Sequence, residues 1–287
     1  MGKLVSSASI IIVIFAVVAV IAIFIGQARE NIKSDAQVAT LVQGVSRPGR
    51  TTVDFDSFST LPSPVARYFR HVLAENQKLI QTATMQQTGV LRTSTTTDAW
   101  SEFTARHVVA PPATGFVWNA KVAMPLATHV RVVDSYIAGV GGGRVSILSA
   151  FIVAAEAGNP ELNSGALHRY LAEAVWYPTA LLPQSGVTWT PLNAHSAVAT
   201  VTDRGTTVSL EFRFNDIGEV VGIYSPGRFG RFDQAYSQVP WEGHFRDYQS
   251  RGGMRIPSYG EVGWYEGETL ELVWKGNLID VQYRLGD

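Results

Sequence analysis

The chain of 287 residues carries 23 basic against 24 acidic side chains and no cysteine. That balance excludes the basic face needed to displace counterions from nucleic acid, so no nucleic-acid partner is expected. The missing thiols exclude cysteine catalysis, cysteine zinc sites and lipid attachment through a cysteine.

Residues 4–28 contain no charged side chain, and 10–25 are almost wholly Ile, Val, Ala and Phe. With a rise of 1.5 Å per helical residue, that length matches a hydrocarbon core of roughly 30 Å. The segment 1–28 is therefore expected to be a single-pass transmembrane anchor, with the membrane as partner through residues 4–28. A cleaved signal peptide is the alternative. Gly26-Gln27-Ala28 has the form of a cleavage site, although the apolar run exceeds the about 7–15 residues of a secretory h-region. Lys3 precedes the run, while Arg29, Glu30, Lys33 and Asp35 nearly cancel behind it. The positive-inside bias then places the domain outside the cytoplasm, and the absence of cysteine suits that compartment. No polybasic cluster follows the run to bind anionic headgroups.

Residues 29–60 read as a juxtamembrane helix leading into a tether, with 29–43 continuing the helix into water and 44–52 rich in breakers. A β-rich soluble domain is expected over 61–287. It opens on Leu61-Pro62-Ser63-Pro64, where Ser63 suits an N-cap and Pro64 the first helical turn. Val65, Phe69, Val72 and Leu73 then form one apolar stripe, predicting a helix over 64–79.

From Gln86 the hydrophobic period shortens to two. Phe116, Trp118, Ala120 and Val122 alternate with Val117, Asn119 and Lys121; Val208, Leu210, Phe212 and Phe214 alternate with Ser209, Glu211 and Arg213. Each alternation predicts a strand buried on one face. Asp203-Arg204-Gly205 and Asn215-Asp216-Ile217-Gly218 bracket the second, giving a meander over about 196–224. Glu266-Gly267 and Lys275-Gly276-Asn277 are expected to divide three short strands near the C-terminus. A further helix is expected over Asn163–Tyr177, ended by Pro178. Short loops imply antiparallel neighbours. The predicted fold is α+β: a large curved antiparallel sheet, a half-open barrel, with two main helices on one face.

Motifs for chemistry are sparse. Six histidines are scattered without a pair at metal-ligand spacing, so neither metal nor cofactor is expected. Gly139-Val140-Gly141-Gly142-Gly143 lies between strand-like flanks and reads as a hairpin, not a phosphate loop. No G-x-S-x-G elbow occurs. The polar residues with most promise lie in the second helix. Arg169 and Glu173, four apart, form either a surface ion pair or a polar anchor beneath the sheet, with Trp176, Tyr177 and Trp118 lining a ligand pocket.

Three segments carry a resemblance: Leu61-Pro62-Ser63-Pro64-Val65-Ala66-Arg67-Tyr68-Phe69-Arg70-His71, Arg169–Pro183, and Pro240-Trp241-Glu242-Gly243-His244-Phe245. With Gly252-Gly253-Met254-Arg255-Ile256-Pro257 and Gly260-Glu261-Val262-Gly263-Trp264, they resemble an uncharacterised bacterial family, a domain of unknown function often found behind transmembrane segments. The resemblance spans about 61–285 and implies the membrane context, but no activity or site residue. A looser likeness in architecture is to periplasmic lipoprotein carriers, half-barrels that shelter acyl chains. The expected function is an extracytoplasmic, membrane-anchored domain binding an apolar or lipid-linked ligand. Two alternatives stand beside it. One is a cell-envelope hydrolase or transferase using Arg169, Glu173 and His168, and the other a scaffold that engages an unknown protein through a sheet edge.

Overall fold

The structure, a computed structural model, describes residues 2–45, 52–233 and 235–286. The expected tether over 44–52 falls largely outside them.

One long helix, α1 (Gly2–Gln43), opens the chain, and α2 (Ser63–Val72) follows. Then come β1 (Ile80–Leu91), β2 (Ser101–Ala110), β3 (Gly115–Met124), β4 (Thr128–Ile137), β5 (Val140–Ile147) and β6 (Phe151–Ala157). After α3 (Pro160–Glu173) and three short 3-10 turns come β7 (Val187–Asn193), β8 (Ser196–Asp203), β9 (Thr206–Phe214), β10 (Val220–Phe232), β11 (Ala235–Arg251), β12 (Met254–Glu266) and β13 (Thr269–Leu285). All thirteen strands join one antiparallel sheet, in the order β6-β5-β4-β3-β2-β1-β13-β12-β11-β10-β9-β8-β7. Consecutive strands pair throughout except β6 and β7, and the two ends of the domain meet where β1 pairs with β13.

The sheet is open, because β6 and β7 are both edges. It also bends. α3 touches β4 and β5 on one wing and β9 and β10 on the other. Nine strand steps separate β5 from β9, a span of about 43 Å if flat, whereas a helix of 14 residues is about 21 Å long. Only a sheet wrapped around the helix allows both contacts. The wings also meet directly: Tyr136 on β4 donates its hydroxyl to Asp203 at the end of β8 (3.0 Å), and Arg231 on β10 pairs with Glu156 on β6 (2.8 Å). The enclosed face holds the main core, in which α2 contributes Val65, Tyr68, Phe69 and Val72.

Three sequence expectations change. The first helix stops at Val72 instead of 79, because Leu73 turns extended (φ −111°, ψ 140°) and the chain enters β1. Its N-cap is Pro62, so Ser63 already lies inside the helix. Lys275-Gly276-Asn277 is no turn: β13 runs through it, with Gly276 opposite Gly89 on one side and Gly260 on the other. The glycines there make room for rings, since a Cβ on Gly276 would strike the Trp274 indole and one on Gly260 would stand 3.1 Å from Trp176.

The third change concerns 29–43. This part of α1 packs on the outer face of β2, β3 and β4 instead of running free in water. Leu41 is buried with Val108, Ala110, Val117 and Val133 in a second, smaller core. Above it the seam is polar. Glu30 accepts from Arg144 (2.7 Å), Asn31 from Arg131 (2.8 Å), and the Asn119 amide donates to Ser34 (2.9 Å).

Candidate functional site

The inner face of the sheet carries a chain of charges. Arg169, on the turn of α3 facing β4, donates to Glu173 (2.9 Å) and to Asp134 (2.8 Å). Its guanidinium lies 4.7 Å from the centre of the Trp118 ring and 5.3 Å from that of Phe116. Burial alone would lower the pKa of Arg169, but the charges of Glu173 and Asp134 outweigh that and raise it. Burial raises the Glu173 and Asp134 carboxyls, while Arg169 opposes the shift in both. Below Glu173 sits His107, fully buried, its Nε2 3.4 Å from Glu173 Oε2. Burial and then the charge of Arg169 hold that imidazole well below its ordinary value, so it is neutral.

Beside this chain of charges stands Arg228 on β10. It donates to the Gly165 carbonyl of α3 (3.0 Å), and its guanidinium lies 4.6 Å from the Trp241 ring and 5.0 Å from Trp264. Among the described residues it forms no ion pair, and its Nε has no hydrogen-bond partner. Burial, then the neighbouring charge of Arg169, push its pKa down to about 10. Arg169 and Arg228 border a cleft of about 200 Å³ whose other walls include Phe116, Leu162, Phe229 and Trp264. The cleft thus joins aromatic and aliphatic surface to Arg169, Arg228 and Arg231, with the carboxylates of Asp134 and Glu161 also in its lining. Of these arginines Arg228 alone has no carboxylate partner among the described residues.

Trp118 touches Arg169 and donates its indole N–H to Gln87 (2.9 Å). Of the five residues expected to form the pocket, Arg169 lines the cleft, whereas Glu173, Trp118, Trp176 and Tyr177 do not. The Trp176 N–H donates to the Pro257 carbonyl (3.1 Å) with its ring edge-on to Phe245, and the Tyr177 hydroxyl donates to the Tyr170 carbonyl (2.6 Å). They fill the space under the sheet, since the 3-10 turns after α3 press them inward. His168 lies away from Glu173, its Nδ1 3.1 Å from the Ser164 carbonyl, so it joins neither the chain of charges nor the cleft. Among the described residues no group of three His, Asp or Glu side chains converges as a metal site requires.

Sequence reasoning missed Asp134 and Arg228. Arg228 follows a β-bulge, the register with β11 slipping between Ser225 and Arg228. A bulge shifts the in–out phase of a strand, so alternation counted from the buried Ile223 puts Arg228, five residues on, on the wrong face.

Fold and site define an α+β domain whose open antiparallel sheet wraps one helix around an arginine-bordered cleft, behind one long apolar N-terminal helix. The chain belongs to DUF6920, a family of unknown function, which matches residues 59–283. Among solved structures, the chain is similar to a LolA superfamily protein from Nitrosomonas europaea at 8% identity. That alignment has a TM-score of 0.41 and covers 77% of this chain and 92% of the other. No curated protein matches the chain.

Proposed function

We propose that the protein is a membrane-anchored domain, held outside the cytoplasm, whose cleft takes the anionic end of an apolar or lipid-linked ligand. The observation that carries this reading is Arg228, a cation without an ion pair among the described residues, standing at an apolar cleft. Binding sites of this kind combine apolar walls with a few placed polar groups, and an unpaired arginine gains most from an anion that offers planar acceptors. A cleft of about 200 Å³ holds a headgroup and its first methylenes, leaving the rest of an acyl chain outside. The anchor half of the reading is supported by the apolar stretch of α1, of which only 6% is buried against the protein, and by Lys3 ahead of it.

Full-length protein extracted in mild detergent and examined by native mass spectrometry should retain an anionic amphiphile, and Arg228→Gln should retain roughly tenfold less, the loss of one charge-assisted contact. A wild-type protein that carries none and does not saturate on titration with anionic amphiphiles would remove the reading. A reporter active only outside the cytoplasm, fused after Asp287, should be active.

A further inference from the structure

The way α1 joins the sheet has a consequence for where the domain stands. Ile23, Gly26, Gln27 and Glu30 form the stripe of α1 that faces the protein, while their neighbours are exposed. Gln27 donates its amide to the Leu148 carbonyl in the β5–β6 turn (2.9 Å). Ala150 lies so close to the helix that a Cβ on Gly26 would stand 2.8 Å from its Cα. Gln27 is two residues past Ile25, the end of the apolar run, or about 3 Å along the helix axis. The β5–β6 turn therefore sits at the level where the apolar part of α1 ends. The β3–β4 turn is beside it, since Val130 pairs with Ile147 and Leu148 donates its N–H to the His129 carbonyl.

Both turns are apolar where turns are ordinarily polar. Leu126 and Ala127 hold φ of 60° and 55°, and Leu148 and Ser149 hold 54° each, a left-handed conformation that turns usually fill with Gly, Asn or Asp. Leu126 is 95% exposed, and around it Met124, Ile147, Phe151, Ile152 and Val153 are all exposed. The segments 119–133 and 144–155 contain no Asp or Glu, so nothing there repels an anionic surface. A large apolar side chain left in water at a strained turn is poorly explained by folding alone.

We propose that the β3–β4 and β5–β6 turns are a second membrane contact, dipping Leu126 and Phe151 into the bilayer interface around the point where α1 emerges. The occupant is the surface of the bilayer that holds this chain's own anchor. The proposal rests on the reading of α1 as a membrane span. The Glu30–Arg144 ion pair and the Asn31–Arg131 hydrogen bond lock the helix to the sheet, so the domain cannot swing clear as it would on a tether. The contact would fix the domain's tilt over the lipid surface.

The chain lacks cysteine, so single-cysteine variants of the full-length protein can carry an environment-sensitive fluorophore in vesicles containing brominated lipids. Leu126→Cys and Phe151→Cys are the test positions. Ile21→Cys reports on the span itself, and Ile217→Cys, an exposed apolar residue on the β9–β10 turn, is the control. The expected result is lipid quenching of the probes at 126, 151 and 21 and none at 217. Quenching at 21 alone would overturn the second contact while leaving the anchor standing. A blue-shifted but unquenched probe at 151 would also overturn it, assigning the patch to a protein partner or a second copy. No quenching at 21 would remove both readings.

Discussion

Phe212 is fully buried on β9, stacked edge-on to Trp189 at 5.3 Å, whereas Arg213 next to it points outward to Glu211 (3.0 Å) and Glu242 (3.1 Å). Phe212→Ala should destabilise by roughly 3–5 kcal/mol through lost transfer energy and the cavity left behind. Arg213→Ala should cost under about 1 kcal/mol, since its side chain is 39% exposed and such pairs are screened. Chemical denaturation of the two variants measures the contrast, and equal losses would mean the outer face is covered. His168 sets a pH dependence. Burial, then the charge of Arg228, lower its pKa to about 4. The unfolded chain therefore binds its proton at higher pH than the folded one, and stability contributed by neutral His168 is lost as pH falls from about 6.5 towards 4. That loss amounts to roughly 2–4 kcal/mol. Unfolding midpoints measured between those values should fall more steeply for the wild type than for His168→Gln.

At the scale of the element, β13 depends on close approach. β13 passes its glycine between Gly89 and Gly260 so that Trp274 can lie over the backbone and stack on Phe103 at 5.7 Å. Gly276→Val should destabilise by about 1–3 kcal/mol or more, because overfilling a packed core forces its neighbours off their rotamers. A variant as stable as wild type, measured by denaturation, would show that Trp274 moves freely. The seam of α1 depends instead on charge. Glu30 is 3% exposed and Arg144 15%, and removing one partner of a buried pair costs roughly 3–5 kcal/mol because the other stays desolvated. Arg144→Ala should therefore loosen the helix from the sheet, read as faster amide exchange over residues 30–41. Exchange unchanged from wild type would mean that Leu41 and its apolar neighbours suffice to hold the helix.

At the scale of the whole molecule, the chain closes its own topology: the first and last strands pair at the centre of the sheet, and α3 carries the chain from one edge to the other beneath it. The enclosed face is filled by packed aliphatic and aromatic side chains, and a small cleft bordered by Arg169 and Arg228 remains beside them. The apolar stretch of α1 is long enough to cross a membrane, and the proposed anchor is open to test. Carbonate should fail to extract the full-length protein from membranes; recovery of a mature chain beginning at Arg29 would identify the segment as a cleaved signal.

What the sequence determined by itself were the features that local chemistry dictates. The uncharged run 4–28 sets the apolar helix. Alternation through Val208–Phe214 and Phe116–Val122 sets strands and their buried faces, and the Asp203–Gly205 and Asn215–Gly218 turns set their antiparallel order. Arg169 and Glu173 at helical spacing set an ion pair. Tertiary structure decided the rest, because it depends on what lies on the other side. The seam of α1 is polar at Glu30, Asn31 and Ser34, so its apolar positions, Val38 and Leu41, were too few to mark a buried face; a further local sign was Val108-Val109-Ala110, a run buried on both faces. Gly276 reads as a turn until Trp274 is seen above it. Arg228 reads as a surface residue until a bulge turns it inward, and whether Arg169 meets water or Asp134 was settled by the bend of the sheet around α3. Periodicity reports which residues seek burial; only the assembled sheet decides which polar groups are carried in with them.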